Sequence, residues 1–207
     1  MSELPLPAAD VRDTVQHAID CLSQVPDDGW EEPAADLEWS CRETVGHILD
    51  CLGGYAMQLS GERGHGDTYT PLLEAVQPRP DGPPFLFWPE EDGGTQAICH
   101  CLDAVGGLLV AVVAAAPPSR VGWHPFGNPD VTGLAAMGIA ETTLHTCDIL
   151  RAHDLDYRPD HPILARVLDR IFPDAARTAD PWQDLLAATG RTTETRGVEW
   201  RWDSSVR

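Results

Sequence analysis

Gly138-Ile139-Ala140-Glu141-Thr142-Thr143-Leu144-His145-Thr146-Cys147-Asp148-Ile149 is the stretch that decides the fold of this 207-residue chain. At about 100° per residue, a helix places Glu141, His145 and Asp148 on one stripe. Apolar or small residues occupy most of the remaining surface, which is typical of a helix that is buried on all sides. A carboxylate and an imidazole buried without partners would destabilise the fold. The sequence therefore predicts that this pair is satisfied by a hydrogen-bond network or by a metal ion.

Glu141 and His145 stand four residues apart, so on a helix they point the same way, one turn apart. Helices use this spacing to present two ligands to one cation. The spacing alone is weak evidence, because it recurs at Asp13/His17 and at Glu43/His47. Only the Glu141/His145 pair lies on a helix that is apolar nearly all round, and we interpret the other two pairs as structural. The surroundings, more than the spacing, favour a metal site here.

The composition excludes several classes of function. The formal net charge is -19, which argues against a nucleic-acid partner because phosphate backbones are bound by clustered basic residues. The chain contains no lysine, so a Schiff-base mechanism and a P-loop are both excluded. The N-terminus lacks the basic start of a signal peptide, and we expect no apolar run long enough to cross a bilayer. These features predict a soluble cytoplasmic protein with no membrane partner.

The six cysteines fall inside helical patterns and none forms a C-x-x-C pair. This spacing supports neither a zinc ribbon nor a thioredoxin-type redox site. Without an export signal, we interpret them as reduced thiols that mostly fill the core.

Four long helices are predicted, and together they indicate an all-α fold built as a four-helix bundle. The first spans Ala8 to Val25, with an apolar residue at alternating steps of four and three. The second runs from Ser40 to about Ser60 and opens with the capping-box pattern Ser40-Cys41-Arg42-Glu43. The third spans Thr95 to Ala116, and the fourth lies within Pro129 to His153.

A connection from Gly61 to Gly94, rich in Gly and Pro, separates the second and third helices and is long enough to cross the bundle. We expect only Thr70 to Val76 to form a short helix within it. His47 lies about two turns from the start of the second helix, and His145 about two turns from the end of the fourth. If these residues share an ion, the two helices must run antiparallel, which predicts an up-down-down-up order.

The chain after the fourth helix has a different character. Pro162 to Phe172 and Pro181 to Thr189 read as two short helices, and Val198 to Trp202 alternates like a single strand. We therefore predict one bundle domain at residues 1–155. Residues 156–207 form a C-terminal extension that packs on the bundle without making a separate domain.

Two imidazoles and one carboxylate, with a fourth position open, are the ligand set of a catalytic zinc site. An open position holds water or a thiol and lowers its pKa, which suits hydrolysis or thiol transfer. Asp148 and Asp50, each one turn beyond a histidine, could orient the ligands, although a solvated or capping role fits equally well. The aromatic loop residues either line a substrate entrance or simply cover the core; they are Trp88, Trp123, His124 and Phe126.

Three segments carry a family resemblance: Trp30-Glu31-Glu32-Pro33, the run from Leu37 to His47, and Glu141-x-x-x-His145-x-x-Asp148. Together they resemble the mycothiol-dependent maleylpyruvate isomerase branch of the DinB-like superfamily. Leu185 to Arg191 is similar to the tail of actinobacterial members. The resemblance implies an up-down-down-up bundle that binds a divalent metal, with zinc expected and nickel or another ion as alternatives. On this resemblance the metal ligands are His47, Glu141 and His145.

The resemblance also implies mycothiol, or a related low-molecular-weight thiol, as cosubstrate, and a homodimer as the assembly. Maleylpyruvate isomerases carry a second C-terminal domain, whereas this chain has a short tail after His153. Sulfur transfer from the thiol to an unidentified electrophile is therefore a better expectation than isomerisation. Two alternatives stay open. One is a metal-dependent hydrolase, and the other is a non-catalytic bundle that binds a small ligand or a partner.

Overall fold

Six α-helices form the secondary structure of the computed structural model, which describes residues 6–63, 66–196 and 199–206. In chain order they are α1 (Leu6–Leu22), α2 (Cys41–Ser60), α3 (Gly94–Ala115), α4 (Val131–Ala152), α5 (His161–Ile171) and α6 (Pro181–Ala188). Short 3-10 helices at Asp27–Glu31 and Glu91–Gly93 precede α2 and α3. No strand is present in these described ranges, which confirms the all-α prediction.

The second and fourth helices begin where polar side chains can satisfy their first backbone N–H groups. The predicted capping box is confirmed: the Ser40 hydroxyl accepts from the N–H of Glu43 at 3.1 Å, and the Glu43 carboxylate accepts from the N–H of Ser40 at 2.9 Å. At α4, the Asp130 carboxylate accepts from the N–H of Gly133 at 2.8 Å. These caps fix the starts of the two helices that carry the candidate ligands.

Helices α1 and α2 each pack against both α3 and α4. Along α2 and α4, His47 lies beside Glu141, and Leu52, further along α2, lies beside Gly138, further back in α4. The contact positions therefore advance in opposite directions, so these two helices are antiparallel. The predicted up-down-down-up order requires this arrangement, and the complete order stays a prediction.

Burial along α4 follows from its composition. Every residue from Gly133 to Leu150 is buried, as expected for a helix that is apolar on nearly all sides. Gly138 sits where α3 and α2 approach α4, and a Cβ there would lie 2.7 Å from a methyl carbon of Leu109. The absence of a side chain at this position lets the helices pack closely, with the polar stripe of α4 held inside the protein.

The crossover between α2 and α3 lies against the outer face of α2. Glycines at positions 46 and 53 make room for it: a Cβ on Gly46 would come within 2.9 Å of the Phe85 ring, and one on Gly53 would overlap Phe87. The Asp50 carboxylate, on the same face, accepts hydrogen bonds from the backbone N–H groups of Leu86 and Phe87. These contacts hold one side of the crossover close to the candidate site.

Two local predictions are wrong. Residues 70–76 contain no helix; instead Val76 forms an isolated β-bridge with Phe85. A helix of this length is unstable without a surface to pack on, and Leu72 and Leu73 are exposed. The single strand proposed for the tail is also absent from Glu199 to Trp202, while Val198 lies outside the described residues.

The C-terminal extension contacts the bundle through its apolar and its charged residues. The apolar face of α5, which includes Leu164 and Leu168, belongs to the same hydrophobic cluster as the bundle core. On α5, Arg166 donates two hydrogen bonds to Asp10 of α1, at 2.8 and 2.7 Å. Arg170 donates to Asp130 at 3.0 Å. The extension is thereby joined to both the first and the fourth helices.

Helix α3 corrects the expectation that no apolar stretch is long enough to cross a bilayer. Among the described residues, the stretch Glu91–Ala115 is long and apolar enough to cross a membrane by length and composition alone. In this fold it packs on α1 and α2, and one of its faces contributes Ile98, Leu102 and Leu109 to the core.

Candidate metal centre

The three predicted ligands come together between α2 and α4. His47 lies in the second turn of α2, and its side chain is 31% exposed. Glu141 and His145 lie one turn apart on α4, and their side chains are each 11% exposed. Since α4 is buried by all its neighbours, solvent reaches the site from the side of His47.

The distances between the ligand atoms fit a small cation. A carboxylate oxygen of Glu141 lies 3.4 Å from Nε2 of His47 and 3.2 Å from Nε2 of His145. Nitrogen and oxygen ligands about 2.0–2.1 Å from a tetrahedral zinc ion lie about 3.4 Å from each other. All three ligand atoms lie within 4.8 Å of one another. The geometry therefore fits a divalent ion with three protein ligands.

The electrostatics of the three groups also favour a cation. Burial lowers the pKa of His145, but hydrogen bonds with Asp148 and Glu141 raise this pKa by more, to about 8. The pKa of His47 is also raised: burial opposes the shift, and the neighbouring Cys51 and Glu141 outweigh it. Burial raises the pKa of Glu141, but the two histidines hold this pKa below its usual range. Positive charge is thus stabilised at the point where the three side chains meet, and a metal ion bound there would displace the protons of the two imidazoles.

A second layer of contacts orients His145. Its Nδ1 atom lies 3.2 Å from a carboxylate oxygen of Asp148, leaving Nε2 free to face Glu141. Arg191, in the C-terminal extension, donates two hydrogen bonds to Asp148, at 2.7 and 3.1 Å. Ligating histidines commonly have such a carboxylate partner, which fixes the tautomer and the orientation of the ring. Asp148 therefore lies where it can orient the His145 ring, and Arg191 lies behind it.

Asp50 contacts the crossover, since its hydrogen bonds go to the N–H groups of Leu86 and Phe87. It therefore holds the wall of the site in place, whereas the sequence suggested that it could orient His47. Arg191 was not predicted as a site residue. The available signal was the similarity of Leu185 to Arg191 to a family tail, which says nothing about where the tail packs.

A cavity of about 350 Å³ opens beside His47 and Glu141. Of the four loop aromatics, His124 lines this cavity. Trp123 packs edge-on against Tyr69, a lining residue, with ring centroids 4.4 Å apart. The other two aromatics contact lining residues: Trp88 packs on Phe85 at 4.9 Å, and Phe126 packs on His124 at 5.3 Å. The four side chains therefore do not form one wall.

Besides Arg191, Trp39 and Tyr55 are site residues that the sequence did not predict. Trp39 tilts against His47 with ring centroids 5.1 Å apart and against His145 at 6.5 Å. Cys51 places its sulfur 3.5 Å from Nε2 of His47, and Tyr55 lines the same cavity. The i to i+4 spacing of His47 and Cys51 signals their proximity, whereas nothing local in the sequence places Trp39 over both imidazoles.

A helical bundle with a His/Glu/His cluster between antiparallel helices defines the class of protein: an all-α protein with a candidate metal site. A family model described as the DinB superfamily matches residues 9–149, and the chain belongs to this superfamily. The matched region begins within α1, ends within the last turn of α4 and contains all three candidate ligands. Searches of curated proteins and of solved structures gave no significant match.

Proposed function

We propose that this protein is a metal-dependent S-transferase that joins a low-molecular-weight thiol to a small electrophile. The observation that carries the proposal is the convergence of His47, Glu141 and His145 beside a cavity. A bound divalent ion, with zinc expected, would lower the pKa of a thiol at its open position. Mycothiol is the proposed thiol, and only the family resemblance supports that choice.

The residues of the chain supply binding and orientation. Asp148 orients the His145 ring, and Trp39 packs against the rings of both imidazoles. The cavity beside His47 and Glu141 leaves one side of the cluster open to a small molecule. An arrangement with three protein ligands and one accessible side is typical of catalytic sites, whereas structural zinc sites are closed by four protein ligands.

The first test is metal content per chain, measured by mass spectrometry on untagged protein purified without a chelator. We expect close to one divalent ion in the wild type and loss of the ion in His47→Ala, Glu141→Ala and His145→Ala. His100→Ala is the matched control, because His100 is exposed on α3 away from the cluster. A metal-free wild type, even after incubation with zinc or nickel, would contradict the proposal.

The second test is turnover with mycothiol and 1-chloro-2,4-dinitrobenzene. In this reaction a carbon–sulfur bond forms, the carbon–chlorine bond breaks, and chloride and the thiol proton leave to solvent. We expect thioether formation that requires the metal and is lost in the ligand variants. Hydrolysis of 4-nitrophenyl acetate without a thiol would instead support the hydrolase alternative. Metal binding without either activity would support a bundle that only binds a ligand.

A further inference from the structure

The cavity beside the candidate metal centre has a distinctive charge pattern. Three carboxylates line it, from Asp50, Glu74 and Glu141, and none of the described lining residues is an arginine. Burial lowers the pKa of His124, another lining residue, to about 4, so its imidazole is neutral at pH 7. Away from the candidate ligand His47 and the ion it would hold, a ligand carboxylate bound here would therefore meet no basic side chain in the described lining. Such a charge, taken from water without a partner, is strongly disfavoured.

Much of the rest of the wall is apolar or aromatic. Trp39 and Tyr55 line the cavity from the bundle, while Tyr69, Leu72 and Phe85 line it from the crossover. Small-molecule sites in proteins are typically concave and largely apolar, with a few polar groups that fix orientation. At this site the polar groups are those of the candidate metal centre.

Apolar side chains also project from the rim of this cavity. Tyr69 is 46% exposed, Leu72 is 52% exposed, and the neighbouring Leu73 is 85% exposed. Clustered exposure of this kind marks surfaces that bind apolar ligands or partners. Because Tyr69 and Leu72 also line the cavity, a ligand that reaches the rim would cover part of their apolar surface.

The arginines near the metal centre lie on the other side of His145. Arg151, Arg191 and Arg196 line a separate cavity of about 510 Å³. Arg191 is paired with Asp148, while Arg151 and Arg196 both lie beside Asp36, at 3.6 and 3.1 Å. An anionic substrate in contact with these arginines would therefore be on the Asp148 side of the imidazole, away from the cavity that Glu141 and His47 line.

We propose that the cavity beside His47 and Glu141 selects apolar, uncharged organic molecules and discriminates against carboxylates, with Leu72 as a specificity-determining residue. This inference rests on the proposed S-transferase function, because the molecule that the cavity selects is the electrophile of that reaction. It separates this protein from enzymes whose substrate is a dicarboxylate such as maleylpyruvate.

The test compares two thiols that differ by one carboxylate, benzyl mercaptan and 4-(mercaptomethyl)benzoate, by titration calorimetry on zinc-loaded protein. We expect benzyl mercaptan to bind at least about tenfold more tightly, because the added carboxylate finds no partner. Leu72→Arg should reduce this preference by placing a guanidinium on the wall. Leu73→Arg is the matched control, since it adds the same charge to the adjacent position, which does not line the cavity.

A second pair without thiols, benzyl alcohol and 4-(hydroxymethyl)benzoate, separates the two proposals when binding is followed by ligand-observed NMR. A preference for benzyl alcohol, with neither thiol binding to zinc-loaded protein, would retain the apolar cavity and overturn the thiol-transfer proposal. Equal binding of both alcohols, or tighter binding of the carboxylate, would overturn the inference about the cavity whatever the thiols do. If Leu72→Arg and Leu73→Arg changed the preference for benzyl mercaptan equally, Leu72 would not determine specificity.

Discussion

Replacement of Arg191 by alanine should weaken both the fold and the candidate metal centre. The Asp148 carboxylate is only 4% exposed, and the Arg191 side chain is 13% exposed. Loss of the guanidinium removes two hydrogen bonds, at 2.7 and 3.1 Å, and leaves the buried carboxylate with His145 as its remaining ionic partner. We therefore expect two separable effects, one on the free energy of unfolding and one on metal affinity.

The size of each effect follows from these contacts. Removal of one partner from a buried ion pair typically costs about 3–5 kcal/mol. Since His145 still contacts Asp148, we expect the lower end, about 3 kcal/mol, for Arg191→Ala in metal-free protein. Outer partners of metal ligands typically contribute about 10–100-fold to metal affinity. Arg191→Ala should therefore bind zinc about tenfold or more weakly, because Asp148 no longer holds His145 in one orientation.

The assay combines urea denaturation of the metal-free protein with zinc competition against a chelating dye. Arg196→Ala is the control in the same extension, because Arg196 pairs with Asp36 at 3.1 Å where both side chains are about 60% exposed. An exposed pair of this kind contributes at most about 1 kcal/mol. Asp148→Asn combined with Arg191→Ala should be less destabilised than the sum of the single variants. Equal stability and equal zinc affinity in Arg191→Ala and Arg196→Ala would refute the reasoning.

Three further predictions concern the crossover, the cavity and the ligands. Gly53→Ala should be less stable than Gly54→Ala by about 1–3 kcal/mol in urea denaturation, because only the Cβ at position 53 overlaps Phe87. Both changes favour the helix equally, so the difference isolates this contact. Equal stabilities would mean that the crossover moves away from α2 without cost. His124→Gln should lose less stability than wild type between pH 6.5 and pH 4. Burial depresses the pKa of folded His124 to about 4, so the unfolded state binds the proton first as pH falls, and the free energy of unfolding of the wild type decreases between pH 6.5 and pH 4. If the free energies of unfolding of both proteins decreased equally over this range, His124 would be excluded as the source of the pH dependence. Glu141→Gln should weaken zinc binding by more than the ~100-fold effect of an outer partner, because a neutral amide replaces the anionic carboxylate that lies between the two imidazoles. Dye competition measures this affinity, and an unchanged affinity would place the ion elsewhere.

The sequence predicted the helical fold because its strongest signals are local. The capping box at Ser40 depends on residues three positions apart, and the all-round apolar pattern of α4 already indicates a buried helix. Glu141 and His145 were found for the same reason, since a helix alone places them together. His47 was assigned through the family resemblance, and an ion shared with His145 required α2 and α4 to run antiparallel, which the contact of Leu52 with Gly138 supports.

Features set by contacts between distant segments could not be predicted in this way. Arg191 reaches Asp148 across 43 positions in sequence, and only the packing of the extension brings them together. The tail alternates as a strand does, yet a lone strand has no neighbour to satisfy its backbone groups. Its aromatic residues pack on rings instead: Trp200 on Phe172, with centroids 6.2 Å apart, and Trp202 on His124 at 5.6 Å.

The crossover has a consequence for how relatives of this protein diverge. The candidate ligands lie on α2 and α4, where a change of side chain also disturbs the packed core. Much of the cavity wall and rim lies on the connection between α2 and α3, where Tyr69, Leu72 and Leu73 carry little of the core. This connection can therefore accept substitutions and insertions without a change in the candidate ligands. Grafting the connection from one superfamily member onto another should transfer ligand preference without transferring metal affinity.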